Sequence, residues 1–104
     1  MSRGHGATQR FVMTVLECDD LHRYRGQTNR GHSIRDIATY WANRQRLVVT
    51  STEFYDEYPE HGPLVDPTAS EYESIRRASQ KLREEGLIGW AINGRLVLLP
   101  DWEA

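Results

Sequence analysis

The sequence predicts a small α+β domain, mostly α: three helices followed by a C-terminal β-hairpin. Three observations predict it. Residues 68–99 read as a capping box, an amphipathic basic helix, a glycine stop and two short apolar runs around Asn93-Gly94. Two upstream stretches repeat apolar residues at the three-to-four spacing of a helix face. A length of 104 residues with 38% hydrophobic and 27% charged content suits one domain around one core.

Residues 1–6 are a polar arm containing Arg3, of the flexible, basic kind that tracks phosphates or enters a minor groove; a frayed terminus is the competing reading. Residues 7–20 form the first expected helix. Phe11, Val12, Val15 and Leu16 fall on one face, and Cys18 beside them is expected as small buried filler. Residues 21–32 hold Gly26, Asn29, Gly31 and three Arg without periodicity, and read as a loop. Ser33 caps a second helix, with Asp36 at its third position. Ile34, Ile37, Ala38 and Trp41 make its apolar stripe, and the pattern ends near Arg46.

Residues 47–67 are an acidic, aromatic insert. Residues 47–50 suit a strand or a continuing helix. Residues 51–58 are expected to form a short acidic helix, capped by Ser51 or Thr52 and anchored by Phe54, Tyr55 and Tyr58. Pro59, Gly62, Pro63 and Pro67 then impose a loop.

Thr68-x-x-Glu71 opens the third helix, over about residues 68–85. Ile75, Ala78, Ser79 and Leu82 face inward. Glu73, Arg77, Gln80 and Glu84 face outward, flanked by Ser70, Arg76 and Lys81. Gly86 suits the left-handed position that stops a helix. The hairpin occupies about residues 87–99, with a type I′ turn expected at Asn93-Gly94. Trp90, Ile92, Leu96 and Leu98 share one face, Arg95 sits at the tip, and Pro100 ends the second strand. Core packing is the expected role of Trp41, Trp90 and Trp102, the last by folding back onto the hairpin.

A net charge of −2 conceals three blocks. Residues 1–50 carry eight Arg against four acids, a net of +4; residues 51–75 carry seven acids and no Lys or Arg, a net of −7. Residues 76–104 carry five bases against four acids, a net of +1. A basic first half and a basic helix are thus interrupted by acid, and distribution rather than total charge governs what a surface attracts. No apolar run approaches the roughly 20 residues of a membrane span, and the N-terminus lacks an apolar leader, so the expectation is the cytoplasm. Cys18 stands alone, as in a reducing compartment. With His22 it makes only half of a zinc set, so neither a metal nor a cofactor is expected. No base neighbours Cys18 and no glycine-rich phosphate loop occurs, so the chain reads as a binder and not an enzyme.

The segments SRGHGATQRFVMTVLE, SIRDIA and ESIRRASQKLREEGLI, the last running into a hairpin, resemble the winged helix-turn-helix superfamily of bacterial, archaeal and phage DNA-binding proteins. The third segment carries most of the likeness: an Arg-rich helix ending Leu-x-x-Glu-Gly-Leu-Ile. The resemblance spans nearly the whole chain and departs at residues 47–67, where that superfamily usually has a short turn.

The resemblance implies a single winged helix domain over residues 1–104: a three-helix core plus a C-terminal β-hairpin wing, with an extra insert between the second and third core helices. It further implies sequence-specific binding to double-stranded DNA by a transcription regulator or mobile-element protein. The third helix would enter the major groove, bringing Ser70, Tyr72, Glu73, Arg76, Arg77, Gln80 and Lys81 to the DNA. Arg pairs with guanine and Gln with adenine through two hydrogen bonds, each worth about 1–3 kcal/mol of discrimination. Arg95 of the wing would reach a phosphate or minor groove, and Ser33 and Arg35 at the second helix start would meet a phosphate.

Two alternatives keep the same fold. One is a protein-interaction module that uses the acidic insert. The other is a methyl-DNA-reading domain of a restriction endonuclease, with aromatic residues sensing the base. A homodimer and a protein partner at the insert are the further partners considered.

Overall fold

The computed structural model describes residues 6–22, 31–50, 54–91 and 94–99. It has three helices and two small antiparallel hairpins and is mostly helical: α1 (Ala7–His22), α2 (Ile34–Ala42), β1 (Leu47–Val49), β2 (Phe54–Asp56), a 3-10 turn (Pro59–His61), α3 (Ala69–Glu84), β3 (Ile88–Trp90) and β4 (Leu96–Leu98). The expected order of helices and C-terminal hairpin is observed. The calls for an N-terminal arm, for the loop's middle, for caps at Ser51 or Thr52, and for Ile92, Asn93, Pro100 and Trp102 lie outside the described residues.

The core lies where the three helices meet the second hairpin. Val12, Val15 and Leu16 of α1, Ile37 and Ala38 of α2, Ile75, Ala78 and Leu82 of α3, and Ile88 and Leu96 form one buried cluster. Each large aliphatic side chain removed from water contributes about 1.5–3 kcal/mol. Cys18 is buried beside it, as its spacing predicts. Trp41 packs against the cluster and meets Phe11 edge-on, with ring centroids 5.1 Å apart.

Ser33 caps α2, its Oγ accepting from the Asp36 N–H at 3.0 Å. The helix stops at Ala42, short of the expected Arg46. Asn43 explains the difference. Its side-chain Nδ2 donates to the carbonyls of Thr39 (2.7 Å) and Val65 (2.9 Å), and its Oδ1 accepts from the Val65 N–H (3.1 Å). The residue that ends α2 therefore also ties down the far end of the insert.

The acidic helix expected at residues 51–58 does not form. β1 and β2 pair instead, with Leu47 opposite Asp56, Val48 opposite Tyr55 and Val49 opposite Phe54. Valines favour the extended state, and polar contacts close the hairpin base: Arg46 grips the Asp56 carboxylate through Nε (3.1 Å) and Nη2, and the Glu57 N–H donates to the Arg46 carbonyl at 2.7 Å. Arg46 is only 8% exposed. Tyr55 and Tyr58, expected as anchors, are 50% and 40% exposed.

At α3 both halves of the capping box are made: the Glu71 N–H donates to Thr68 Oγ1 at 3.1 Å and the Thr68 N–H to Glu71 Oε1 at 2.8 Å. Ile75, Ala78, Ser79 and Leu82 are its buried residues, the set its periodicity predicts. Gly86 has φ 78°, and the helix closes with Gly86 N–H to the Arg83 carbonyl (3.0 Å) and Leu87 N–H to the Leu82 carbonyl (3.1 Å). This paired pattern satisfies two of the last carbonyls and turns the chain sharply into β3.

In the second hairpin Ile88 pairs Leu98, Gly89 pairs Val97 and Trp90 pairs Leu96. Next to the turn, the Gly94 N–H donates to the Ala91 carbonyl (2.9 Å) and the Ala91 N–H to the Arg95 carbonyl (2.8 Å). The type I′ turn expected at Asn93-Gly94 falls partly outside the described residues. β4 is bonded on its other edge as well: His32 N–H donates to the Leu96 carbonyl (3.1 Å) and Leu96 N–H to the His32 carbonyl (2.9 Å). Gly31 permits that approach, since a Cβ there would overlap the Leu96 carbonyl.

Candidate nucleic-acid interface

One face of α3 is in the core, so the other is free to meet a partner. Ser70, Arg76, Arg77, Gln80 and Lys81 are exposed along it, and Tyr72 is 37% exposed. Helix periodicity brings these residues onto one surface. The capping box and the glycine stop fix where that surface begins and ends.

The charges on it are organised by Glu73. Its Oε1 accepts from Arg76 Nε at 2.8 Å; its Oε2 accepts from Arg76 Nη2 at 2.6 Å and from Arg77 Nε at 2.9 Å. Hydrogen bonds from Arg76 and then Arg77 hold the Glu73 carboxyl down to about 2, and Glu73 raises Arg76 in turn. The three residues act as one unit of net charge +1. Further along, Gln80 Nε2 contacts Glu84 Oε2 at 3.4 Å.

The residues expected to flank this face are placed differently. Ser33 uses its Oγ to cap α2. Arg35 is exposed, 3.6 Å from the equally exposed Asp66 carboxylate, a pair that salt screens readily. Arg95 is not at the hairpin tip: it follows the turn, and its Nη1 donates back to the Gly31 carbonyl at 3.4 Å. The hairpin is thereby tied to the chain entering α2.

Trp90 is not a core residue. It is 49% exposed at the end of β3, with the Arg83 guanidinium 5.2 Å from its ring centroid. Arg83 Nε is itself buried without a hydrogen-bond partner, and the guanidinium lies within cation–π range of the indole. This Arg–Trp pair at the junction of α3 and hairpin was invisible in the sequence, because the seven-residue separation crosses a helix stop. The Glu73 clamp was legible: i,i+3 and i,i+4 acid–base spacing on a helix announces it.

On the insert, Asp56 is held below the usual carboxylate range by its hydrogen bonds with Arg46, aided by the Tyr58 N–H. A recess of about 300 Å³ beside it is lined by Ala42, Asn43, Gln45, Arg46, Tyr58 and His61. Asn43 and Arg46 already spend their polar groups on the insert, and Tyr58 stacks on His61 at 5.5 Å. Among the described residues no group of three His, Cys, Asp or Glu could hold a metal ion, and no helix is long and apolar enough to cross a membrane.

No protein-family model, curated protein or solved structure matches this chain.

Proposed function

We propose that the chain is a winged helix-turn-helix protein that binds double-stranded DNA in a sequence-specific manner, with α3 as the recognition helix and the β3–β4 hairpin as the wing. The observation that carries this reading is the construction of α3. It is buried on one face only, presents Arg76, Arg77, Gln80 and Lys81 on the other, and runs through a tight glycine stop into a hairpin held by the same core. The extended bond pair between His32 and β4, placed between α1 and α2 in the chain, supports the winged reading because it braces the hairpin from its second edge. An α-helix fits the major groove, and Arg and Gln are the side chains that read guanine and adenine there. The role in the cell that follows is transcription regulation or service to a mobile element.

Selection of bound duplexes from a random pool, followed by a salt titration on the enriched sequence, tests this. An enriched sequence should emerge, affinity should fall steeply with salt, Lys81→Ala should reduce the salt slope by about one as a phosphate-contacting cation is lost, and Arg77→Ala should weaken binding to the enriched sequence. Absence of duplex binding at micromolar protein in low salt overturns the proposal.

One observation favours a second reading, a protein-interaction module. The described part of the insert pairs β1 with β2 and exposes Tyr55, Tyr58 and Val65 among Glu57, Glu60 and Asp66. Reversing Glu57 and Glu60 to Lys would then abolish partner capture while leaving duplex binding unweakened; the opposite pattern rejects it.

A further inference from the structure

We propose that Glu73 is a positioning residue of the DNA-reading face: it withholds Arg76 from phosphates and aims Arg77 at a base. The inference rests on the DNA-binding reading and deepens it. Its basis is an asymmetry in how the two arginines meet one carboxylate. Arg76 engages Glu73 side-on, through Nε and Nη2, using both carboxylate oxygens at 2.8 and 2.6 Å. That is the paired fork by which a guanidinium also grips a phosphate, so Arg76 cannot offer that edge to both. Arg77 engages Glu73 through Nε alone at 2.9 Å, which leaves its two terminal nitrogens uncommitted to the carboxylate. Those are the nitrogens that a bidentate contact to the O6 and N7 of guanine requires. The exposures agree: the Arg77 side chain is 75% exposed and that of Arg76 46%.

The arrangement has a consequence for specificity. Nonspecific affinity comes from cations neutralising phosphates, so each guanidinium held by an internal acid is one that random DNA does not gain. Orienting Arg77 before binding removes rotamer entropy that a base contact would otherwise have to overcome. Glu73 stays ionised throughout the range in which DNA is duplex, since its carboxyl is held down to about 2; the restraint is built in rather than switched by pH.

The test measures salt slopes on a random-sequence duplex, and affinities for that duplex and the enriched one, with wild type, Glu73→Gln, Glu84→Gln and Glu73→Gln in an Arg76→Ala/Arg77→Ala background. Glu84→Gln makes the same change in net charge on the same helix without releasing an arginine. Glu73→Gln should bind random duplex more tightly, with a slope steeper by about one as Arg76 becomes available. The ratio of specific to random affinity should fall by at least about fivefold as Arg77 loses its aim. In the double-alanine background the substitution should change both quantities no more than Glu84→Gln does.

Equal effects of Glu73→Gln and Glu84→Gln, or an undiminished effect in the double-alanine background, would mean that Glu73 acts only as background charge and would overturn the inference. Binding of random duplex by Glu73→Gln where wild type binds only the enriched duplex supports it in its strongest form. Failure of both proteins to bind any duplex overturns the DNA-binding reading itself.

Discussion

The two hairpins are alike in size and opposite in construction. Each pairs two strands of three residues. The β3–β4 hairpin is held by apolar side chains: Leu96 and Ile88 are buried in the cluster shared by all three helices, and Leu98 packs against it. The β1–β2 hairpin touches the core through Leu47 and Val49 but is held at its base by polar clasps, Arg46 to Asp56 and Asn43 to Val65. An apolar attachment is non-directional and shared among many neighbours, whereas a polar clasp depends on a few groups in fixed geometry. The β3–β4 hairpin is therefore part of the folding unit and the β1–β2 hairpin a ledge fastened to it.

Substitutions can break this contrast. Leu96→Ala should have the largest effect, a loss of about 2–5 kcal/mol, because it opens a cavity in the cluster shared by the three helices and the β3–β4 hairpin. Urea unfolding should show it as a lower midpoint for the whole protein; a transition confined to residues 88–98 would contradict the shared core. Asn43→Ala should cost about 1–3 kcal/mol by removing its two hydrogen bonds to the Val65 backbone, each contributing about 0.5–1.5 kcal/mol. Its signature is local: amide hydrogens of the insert should exchange faster while those of α3 and β4 keep their protection. Uniform loss of protection would show the insert to be integral to the fold. Thr68→Ala should cost about 1 kcal/mol through the lost cap of α3, read as a small drop in melting temperature.

Acid sharpens the contrast without a mutation. Glu73 and Asp56 both take up protons less readily when folded than when unfolded. Their stabilisation is thus complete above the unfolded carboxyl values, near 4.5 for Glu73, and is lost as pH falls through the folded ones, about 2 for Glu73. Stability should decline on acidification across that window, and Glu73→Gln should flatten part of the decline. An unchanged profile would show that the clamp contributes nothing measurable to folding.

The contrast also separates what could be read from the chain and what could not. The capping box at Thr68, the stop at Gly86 and the buried set Ile75, Ala78, Ser79 and Leu82 were all legible, because each depends on residues within one or two helical turns. Within the insert the expected strand alternative at residues 47–50 holds, while the helix expected over residues 51–58 gives way to β2. The insert's acidic run suits a first turn, and nothing local reveals that Arg46 would meet Asp56 ten residues on and draw Val48 and Val49 into a ladder. Trp90 was placed in the core on its alternation, yet it overhangs the end of the strand where the core has run out and Arg83 covers it. Of the candidate site, the exposed face of α3 was foreseen as a set of residues. The inward turn of Arg95 was not, and the clamp at Glu73 could have been, since its spacing is local.

By itself the sequence determined the three helices, the caps of α2 and α3, the glycine stop of α3, the side of α3 that would be buried, and the block pattern of charge. These follow from backbone geometry and from contacts between residues a few positions apart, whose interactions barely depend on the rest of the chain. Only the tertiary structure decided that β1 and β2 pair and are clasped to α2, and that β4 is bonded on both edges. Each required segments far apart in sequence to meet, and the choice was made by which polar groups remained to be satisfied once the shared core had closed.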